Sequence, residues 1–154
     1  KHNENYIISS YLPIINKKDG KFLKEDVPLV EEDLYREIYA INEEYIVLID
    51  LHYRYPISRI ICLDNDLNIV LDKIINEDVR TYLPVINRDY FYFVTETALK
   101  VMDLRTGEIV WEDRNISDRE IDIVPWMYVY QDEYLFLCNE NGDGADLRVY
   151  RINF

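Results

Sequence analysis

Two histidines, His2 and His52, are the side chains of this sequence whose ordinary pKa lies near neutrality, so a histidine base for a nucleophile would have to be one of them. Nucleophilic catalysis also needs a base held beside the nucleophile. The serines, Ser9, Ser10, Ser58 and Ser117, carry no elbow motif, and His2 sits at the very start of the chain. His52 falls in Asp50-Leu51-His52-Tyr53-Arg54-Tyr55-Pro56, a stretch that reads as a loop between two strands. There, histidine beside exposed aromatics suits surface recognition better than proton transfer. Asn139-Glu140-Asn141-Gly142-Asp143-Gly144 begins like a calcium loop, with oxygen ligands at positions 1, 3 and 5 and glycine at position 6. The bidentate glutamate such a loop needs at position 12 is replaced by Tyr150, which favours a plain glycine-rich hairpin and no metal. Carboxylate pairs such as Glu31-Glu32-Asp33, Glu43-Glu44 and Asp132-Glu133 read as turns and solvated surface. A glycosidase pair would need a cleft that spacing alone does not create. No catalytic set and no cofactor site emerges.

What must position these residues is a β-rich chain. Hydrophobic residues make up 49% of its 154 residues, enough for a sizeable core. Fourteen tyrosines, with many Ile and Val, favour half-buried pleated strands. Only four glycines are available, so most hairpins are expected to turn with Asn, Asp or Lys in the tight positions. Thirty Asp and Glu against 17 Lys and Arg leave a net charge of −13. Such a field repels nucleic acid and anionic membranes, and it draws in basic partners. No apolar run approaches the ~18 residues of a spanning helix. Lys1 to Tyr6 has no signal-peptide pattern, while the missing initiator Met leaves room for a trimmed start and targeting segment. Cys62 and Cys138 lie in apolar strand-like runs and read as buried reduced thiols, which fits a cytoplasmic protein.

The chain repeats itself. Ile41-Asn42-Glu43-Glu44-Tyr45-Ile46-Val47-Leu48, Ile86-Asn87-Arg88-Asp89-Tyr90-Phe91-Tyr92-Phe93 and Tyr130-Gln131-Asp132-Glu133-Tyr134-Leu135-Phe136-Leu137 align without gaps. Each is an apolar residue, a three-residue polar turn, a tyrosine and an apolar run, and a fourth copy begins at Asn3-Glu4-Asn5-Tyr6. The turns start at 42, 87 and 131, a spacing of about 44 residues. A second hairpin recurs with it, at Asn16 to Glu25, Leu63 to Asp72 and Asp103 to Glu112. Gly20 and Gly107 are suited to the positive φ of two of these turns. Each full unit then holds four antiparallel strands. In the third they are a, Tyr82 to Ile86; b, Tyr90 to Thr95; c, Leu99 to Leu104; and d, Glu108 to Trp111. Pro84 and Pro125 fall within the proposed a strands, which must therefore be sheet edges. Apolar residues at 30, 34 and 38 also permit a short helix over Val30 to Ile38 in place of a loop running into strand a.

The run Val101-Met102-Asp103-Leu104-Arg105-Thr106-Gly107-Glu108-Ile109-Val110-Trp111-Glu112 resembles the blade repeat of quinoprotein-like β-propellers, where an Asp, a Thr-Gly turn and a Trp close strands c and d. The unit at 60–72 lacks the Gly and the Trp, and the Gly-His and Trp-Asp signatures of WD40 repeats are missing. The resemblance implies blade geometry, with Thr106, Gly107 and Trp111 as structural positions, and carries no quinone site.

The expected fold is all-β: antiparallel four-stranded, blade-like repeats of about 44 residues in a partial or open β-propeller of about 3.5 units. One repeat domain spans 1–154, with units at about 1–26, 34–72, 81–113 and 122–154. The first unit lacks strand a and the last lacks strand d, which leaves 14 strands, short of the roughly 16 of a four-bladed ring. Exposed end blades would then invite a partner or a homodimer. In such an arrangement the b–c and d–a loops share one face, and they combine acids with aromatics. The residues expected to bind a partner are Glu31, Glu32, Asp33, His52, Tyr53, Arg54, Tyr55, Asp113, Asp118, Glu120, Glu140 and Asp143. The expected function is non-enzymatic binding of a basic protein. Its most concrete form is an immunity protein that inhibits a basic toxin domain such as a nuclease.

Overall fold

A computed structural model describes residues 6–8, 14–16, 22–24, 34–52, 54–80, 84–115, 126–141 and 144–152. These residues form four antiparallel meanders and no helix. Sheet I is β1 (Tyr6–Ile8), β2 (Ile14–Asn16) and β3 (Phe22–Lys24). Sheet II is β4 (Leu34–Ile41), β5 (Ile46–His52), β6 (Ser58–Leu63) and β7 (Ile69–Ile75). Sheet III is β8 (Val85–Asn87), β9 (Tyr90–Val94), β10 (Leu99–Asp103) and β11 (Ile109–Asp113). Sheet IV is β12 (Trp126–Tyr130), β13 (Tyr134–Asn141) and β14 (Gly144–Arg151). The 14 described strands match the number read from the repeat.

The helix allowed over Val30 to Ile38 does not form across its described part, because Leu34 to Ile38 belong to β4 and pair with His52 to Leu48 of β5. A spacing of four residues returns to the same side of a strand as well as of a helix, so apolar residues at 34 and 38 satisfied both periods. The neighbouring strand decides between them. Pro84 stands immediately before β8 instead of inside it, and Pro125 lies outside the described residues. Proline brings no N–H to a ladder, so the pairing starts one residue later.

Of the two glycines expected to take positive φ, Gly107 does (φ 71°), and Gly20 lies outside the described residues. Elsewhere the expectation of Asn, Asp or Lys is met only by Asp132, since Leu67, Arg88 and Gln131 also adopt positive φ. Asn and Asp act differently here: they open the turn and accept its N–H groups. The Asn42 side-chain oxygen accepts from Glu44 N–H at 2.9 Å and Tyr45 N–H at 2.7 Å. Asp64 likewise accepts from Asp66 N–H at 2.9 Å and Asn68 N–H at 2.8 Å. A side chain that caps the turn in this way lets a less suited residue hold the left-handed position.

The units are equivalent in register. Ile46 pairs Leu63, Phe91 pairs Met102 and Ile7 pairs Ile15, and a β-bulge interrupts the next ladder just before each partner, between Cys62 and Leu63, Val101 and Met102, and Ile14 and Ile15. The a–b turns also touch in sequence order. Tyr45 donates its hydroxyl to Asp89 at 2.9 Å, and Asn42 donates to the Arg88 carbonyl at 3.0 Å. Arg88 in turn meets Asp132 at 2.5 Å. Burial and the Asp89 carboxylate push the Tyr45 phenol up to about 12, so it stays a donor across the physiological range. The first strands are neighbours as well, with β8 against both β4 and β12.

Apolar packing follows the pleat. Val47, Ile49, Ile60 and Cys62 of sheet II meet Phe91, Phe93 and Met102 of sheet III. The opposite side of β9 and β10, Tyr92, Val94, Leu99 and Val101, meets Met127, Leu135 and Leu137 of sheet IV. Ile46, Leu48, Ile61 and Leu63 fill a third cluster on the far side of sheet II. Strands β5, β6, β9 and β10 are therefore apolar on both faces, while the last strands β7 and β11 are largely exposed. Each fully buried large side chain contributes about 1.5–3 kcal/mol.

Gly107 ties the outer edges of sheets II and III. An added Cβ would lie 2.7 Å from Leu71 Cδ1, and the Lys73 ammonium donates to the Gly107 carbonyl. The Gly107→Ala variant is expected to lose about 2 kcal/mol, mostly through the strained φ, because the Leu71 methyl can move aside. Gly107→Asn should lose less, since Asn tolerates that conformation. Urea unfolding measures both, and an Ala variant as stable as the parent would contradict this.

Candidate functional site

The strand ends reached at His52, Ile75, Val94 and Asp113 gather the b–c and d–a connections. The contacts here are direct. Ser58, at the start of β6, donates its hydroxyl to the Glu77 carbonyl at 2.9 Å and accepts from Val79 N–H at 3.0 Å. Val79 bridges Thr95, and Arg80 N–H reaches the Val94 carbonyl at 2.9 Å. The connection after sheet II is thereby laced to the b–c loops of sheets II and III. Ser58 is buried and engaged on both sides, so it is a structural hydroxyl and not a nucleophile.

Two ionic networks, each built on a buried cation, hold this end. In the first, Asp50 is fully buried and faces Arg59 at 3.5 Å. Arg59 also makes a two-pronged contact with Asp72 at 2.7 and 2.6 Å, which holds its guanidinium charged. In the second, Glu77 accepts hydrogen bonds from Thr95 at 2.5 Å, from Thr97 at 2.7 Å and from Lys100. Burial raises the Glu77 carboxyl, but the donors Lys100, Thr95 and Thr97 outweigh it, and the net shift is downward. At the opposite end Arg105 holds the Asp103 carboxyl below its usual range. These charges act as mortar between connections and turns. Burial pushes the Cys62 thiol up to about 12, which keeps it protonated and inert.

Several of the residues expected to bind a partner are described. His52 closes β5, and its Nδ1 accepts from Arg54 N–H at 3.0 Å. Its ring lies 4.9 Å from that of Tyr55, tilted by 53°. Arg54, Tyr55 and Pro56 project into solvent. Asp113 ends β11, where it caps the Asn115 N–H at 2.9 Å and lies beside Arg148 and Tyr150. Glu140 lies in β13, paired with Ala145. Glu31, Glu32, Asp33, Tyr53, Asp118, Glu120 and Asp143 lie outside the described residues. The structure thus brings His52, Arg54 and Tyr55 together in one loop, with Asp113 at the same end of a different sheet. The segment from Asn139 pairs Asn141 with Gly144 and Asp146 with Asn139 in a hairpin, while Gly142 and Asp143 lie outside the described residues.

Charge is unevenly distributed along the sequence. Residues 25–33, 116–125 and 139–146 hold eleven Asp and Glu and one basic residue, Arg119, in a chain of net charge −13. Residues 25–33 lead into β4, whose first residue pairs with His52, and 116–125 lead from β11 into β12. By contrast, the described acids at this end are mostly matched: Asp78 and Glu96 with Arg80, both at 3.6 Å, and Glu112 with Arg114 at 2.9 Å. Among the described residues no group of three or more His, Cys, Asp or Glu could hold a metal ion. A cleft of about 240 Å³ between sheets III and IV is lined by Tyr92, Val101, Trp111, Leu135, Tyr150, Arg151 and Ile152, a mixed aromatic and aliphatic wall with one cation. Trp111 and Tyr150 meet edge to face there, with centroids 5.6 Å apart.

Sequence reading missed both ionic networks, because their members lie 9 to 23 residues apart and only the meander joins them. It also missed the outer face of sheet IV. There Trp126, Tyr128 and Tyr130 alternate with the inward Met127 and Val129, and all three are exposed. Strict alternation of aromatics in Trp126-Met127-Tyr128-Val129-Tyr130 was the available signal. Cys138 lies on that same face and is only half-buried, which corrects its reading as a buried thiol; both cysteines are free.

Replacing Arg59 by Met withdraws the guanidinium from buried Asp50 and is expected to cost about 3–5 kcal/mol in urea unfolding, with part of the loss recovered when Asp50→Asn is added. The Glu77 network gives a pH dependence of definite sign. Because the folded carboxyl is held below its ordinary 4.5, its stabilisation is full above that pH and is lost as the pH falls through the lowered folded value. Acid titration of Glu77→Gln should show a flatter loss of stability below pH 4.5 than the parent; identical acid limbs would count against the network.

No protein-family model matches this chain, and no curated protein matches it either.

Proposed function

We propose that the four sheets are the blades of an open, partial β-propeller, and that the chain is a non-enzymatic domain whose loop end binds a basic protein. The blade reading is supported by the recurring bulge, the turns linked one to the next and the first strands set side by side. The binding reading rests on one observation above all: eleven acids against one base in the three segments at 25–33, 116–125 and 139–146. This excess of carboxylates over bases in the sequence, taken with the exposed Arg54-Tyr55-Pro56 tip, suits a negative rim around an aromatic anchor. Such a surface speeds and selects association with a cationic partner. A nuclease must present a cationic cleft to its substrate, so an immunity protein blocking a nuclease toxin is the most concrete form. The non-enzymatic part is supported by where the ionisable groups of this end go: buried Asp50, Arg59 and Lys100 and half-buried Glu77 are all bound into the frame. No helix among the described residues is long and apolar enough to cross a membrane.

A second reading, a segment of a larger scaffold propeller that completes its ring with further chain or a second copy, is favoured by the uncovered face of sheet IV.

The binding reading is tested by pull-down from the source cells and their competitors, followed by association kinetics on what is captured. Reversing Glu31, Glu32 and Asp118 to Lys should slow association about tenfold or more at low salt, and added salt should slow the parent in the same way. Retention of neutral or acidic proteins alone would sink the reading.

A further inference from the structure

The outer face of sheet IV is built like an interface and is largely exposed among the described residues. In sheets II and III the residues at positions 47 and 49, and at 92 and 94, face the next sheet and are buried by it. The repeat puts Phe136 and Cys138 of β13 at the same positions, and among the described residues no sheet packs on them. Register sets three levels across this face. Trp126, Cys138 and Leu147 share the first, Tyr128, Phe136 and Val149 the second. Tyr130, Tyr134 and Arg151 share the third. Trp126 is 55% exposed, Tyr128 and Leu147 62%, and Val149 52%. No carboxylate occurs among these nine, in a chain of net charge −13; the next level on this side of β13, Glu140 with Ala145, lies beyond the end of β12.

We propose that this face binds the same face of a second copy of the chain, sheet on sheet, about a twofold axis running along β13. Three observations select that occupant. The first is area: with about 200 Å² for a large aromatic side chain, the face offers on the order of 700 Å² per copy, close to the ~800 Å² per partner of a standard interface and more than most monomers leave uncovered. The second is continuity, because the same positions of the repeat already form the sheet-to-sheet contacts within the chain. The third is self-complementarity. Rotation about β13 lays the aromatic strand β12 of one copy over the aliphatic strand β14 of the other and keeps each level in place. Trp126 then covers Leu147, and Tyr130 comes to lie over the Arg151 position, while Glu140, one level beyond Cys138 on the same side of β13, falls at the rim. Two sheets stacked face to face in this way keep the aligned packing of a β-sandwich.

The dimer deepens the scaffold reading by naming the surface and the partner. It uses a sheet face and not the loop end, so its failure leaves charge-driven binding of a basic protein standing, and the converse holds.

The axis passes Cys138, so the two Cys138 thiols face each other, whereas Cys62 is buried in the core. Light scattering of the full chain should give about 37 kDa, twice the 18.6 kDa of one chain. Mild oxidation should yield a covalent dimer on a non-reducing gel, and Cys138→Ser should abolish it. Tyr128→Lys and Val149→Lys, both at exposed positions, should each give 18.6 kDa with an unchanged β-sheet circular dichroism spectrum. A parent that stays at 18.6 kDa across the micromolar range overturns the proposal, as does a dimer that survives both lysines or one that never cross-links through Cys138. The oxidation arm uses the parent chain and decides the matter even if a lysine variant loses its fold.

Discussion

Strands that are apolar on both sides cannot stop at a single layer, and this governs the whole molecule. β9 reads Tyr90-Phe91-Tyr92-Phe93-Val94, and both its odd and its even residues leave water. A sheet made of such strands has two faces to cover, and another sheet of the same kind is the simplest cover. Sheet III finds one in front and one behind, through two separate apolar clusters. The exposed last strands, β7 and β11, mark the outer limit of that requirement.

The two ends of the strands solve different problems. At one end the short turns are stitched to each other by Tyr45, Asn42 and Arg88, each reaching a turn 44 to 46 residues away. At the other, longer connections cross over the sheets and are anchored by buried charges. A buried ion pair adds little net stability over an apolar substitute, but it penalises any other arrangement of the groups it joins. Asp50–Arg59–Asp72 and Glu77–Lys100 thus fix where the connection after sheet II leaves the frame.

Much of the fold was legible because the repeat carries its own punctuation. A tyrosine after a polar turn, followed by an unbroken apolar run, gives both the hairpin and the fact that its second strand is central. The helix allowed over Val30 to Ile38 shows the limit of that reading, since a four-residue spacing fits two periods and pairing with β5 chose between them. Turn chemistry was half legible: Gly107 behaves as expected, while Leu67 and Gln131 hold positive φ on the strength of hydrogen bonds around them. For the candidate site, the sequence indicated the loops and their charge. It did not indicate that Ser58 and Glu77 would be drawn inward, because that depends on which loop lies beside which. The aromatic alternation of β12 was readable, yet whether its face is covered depends on the number of sheets and not on any local pattern.

The linked turns have a further consequence. Each sheet is stabilised chiefly by its immediate neighbours, as in linear repeat arrays, so the free energy of opening is set by how many neighbours a unit has. Sheet III has two and sheet IV one. Amide hydrogens of β9 and β10 should therefore exchange only on global unfolding, while β12 to β14 can peel away as a unit and leave the rest intact. Fraying from that terminus would be checked by anything that covers its open side, which couples association to the local rigidity of the chain.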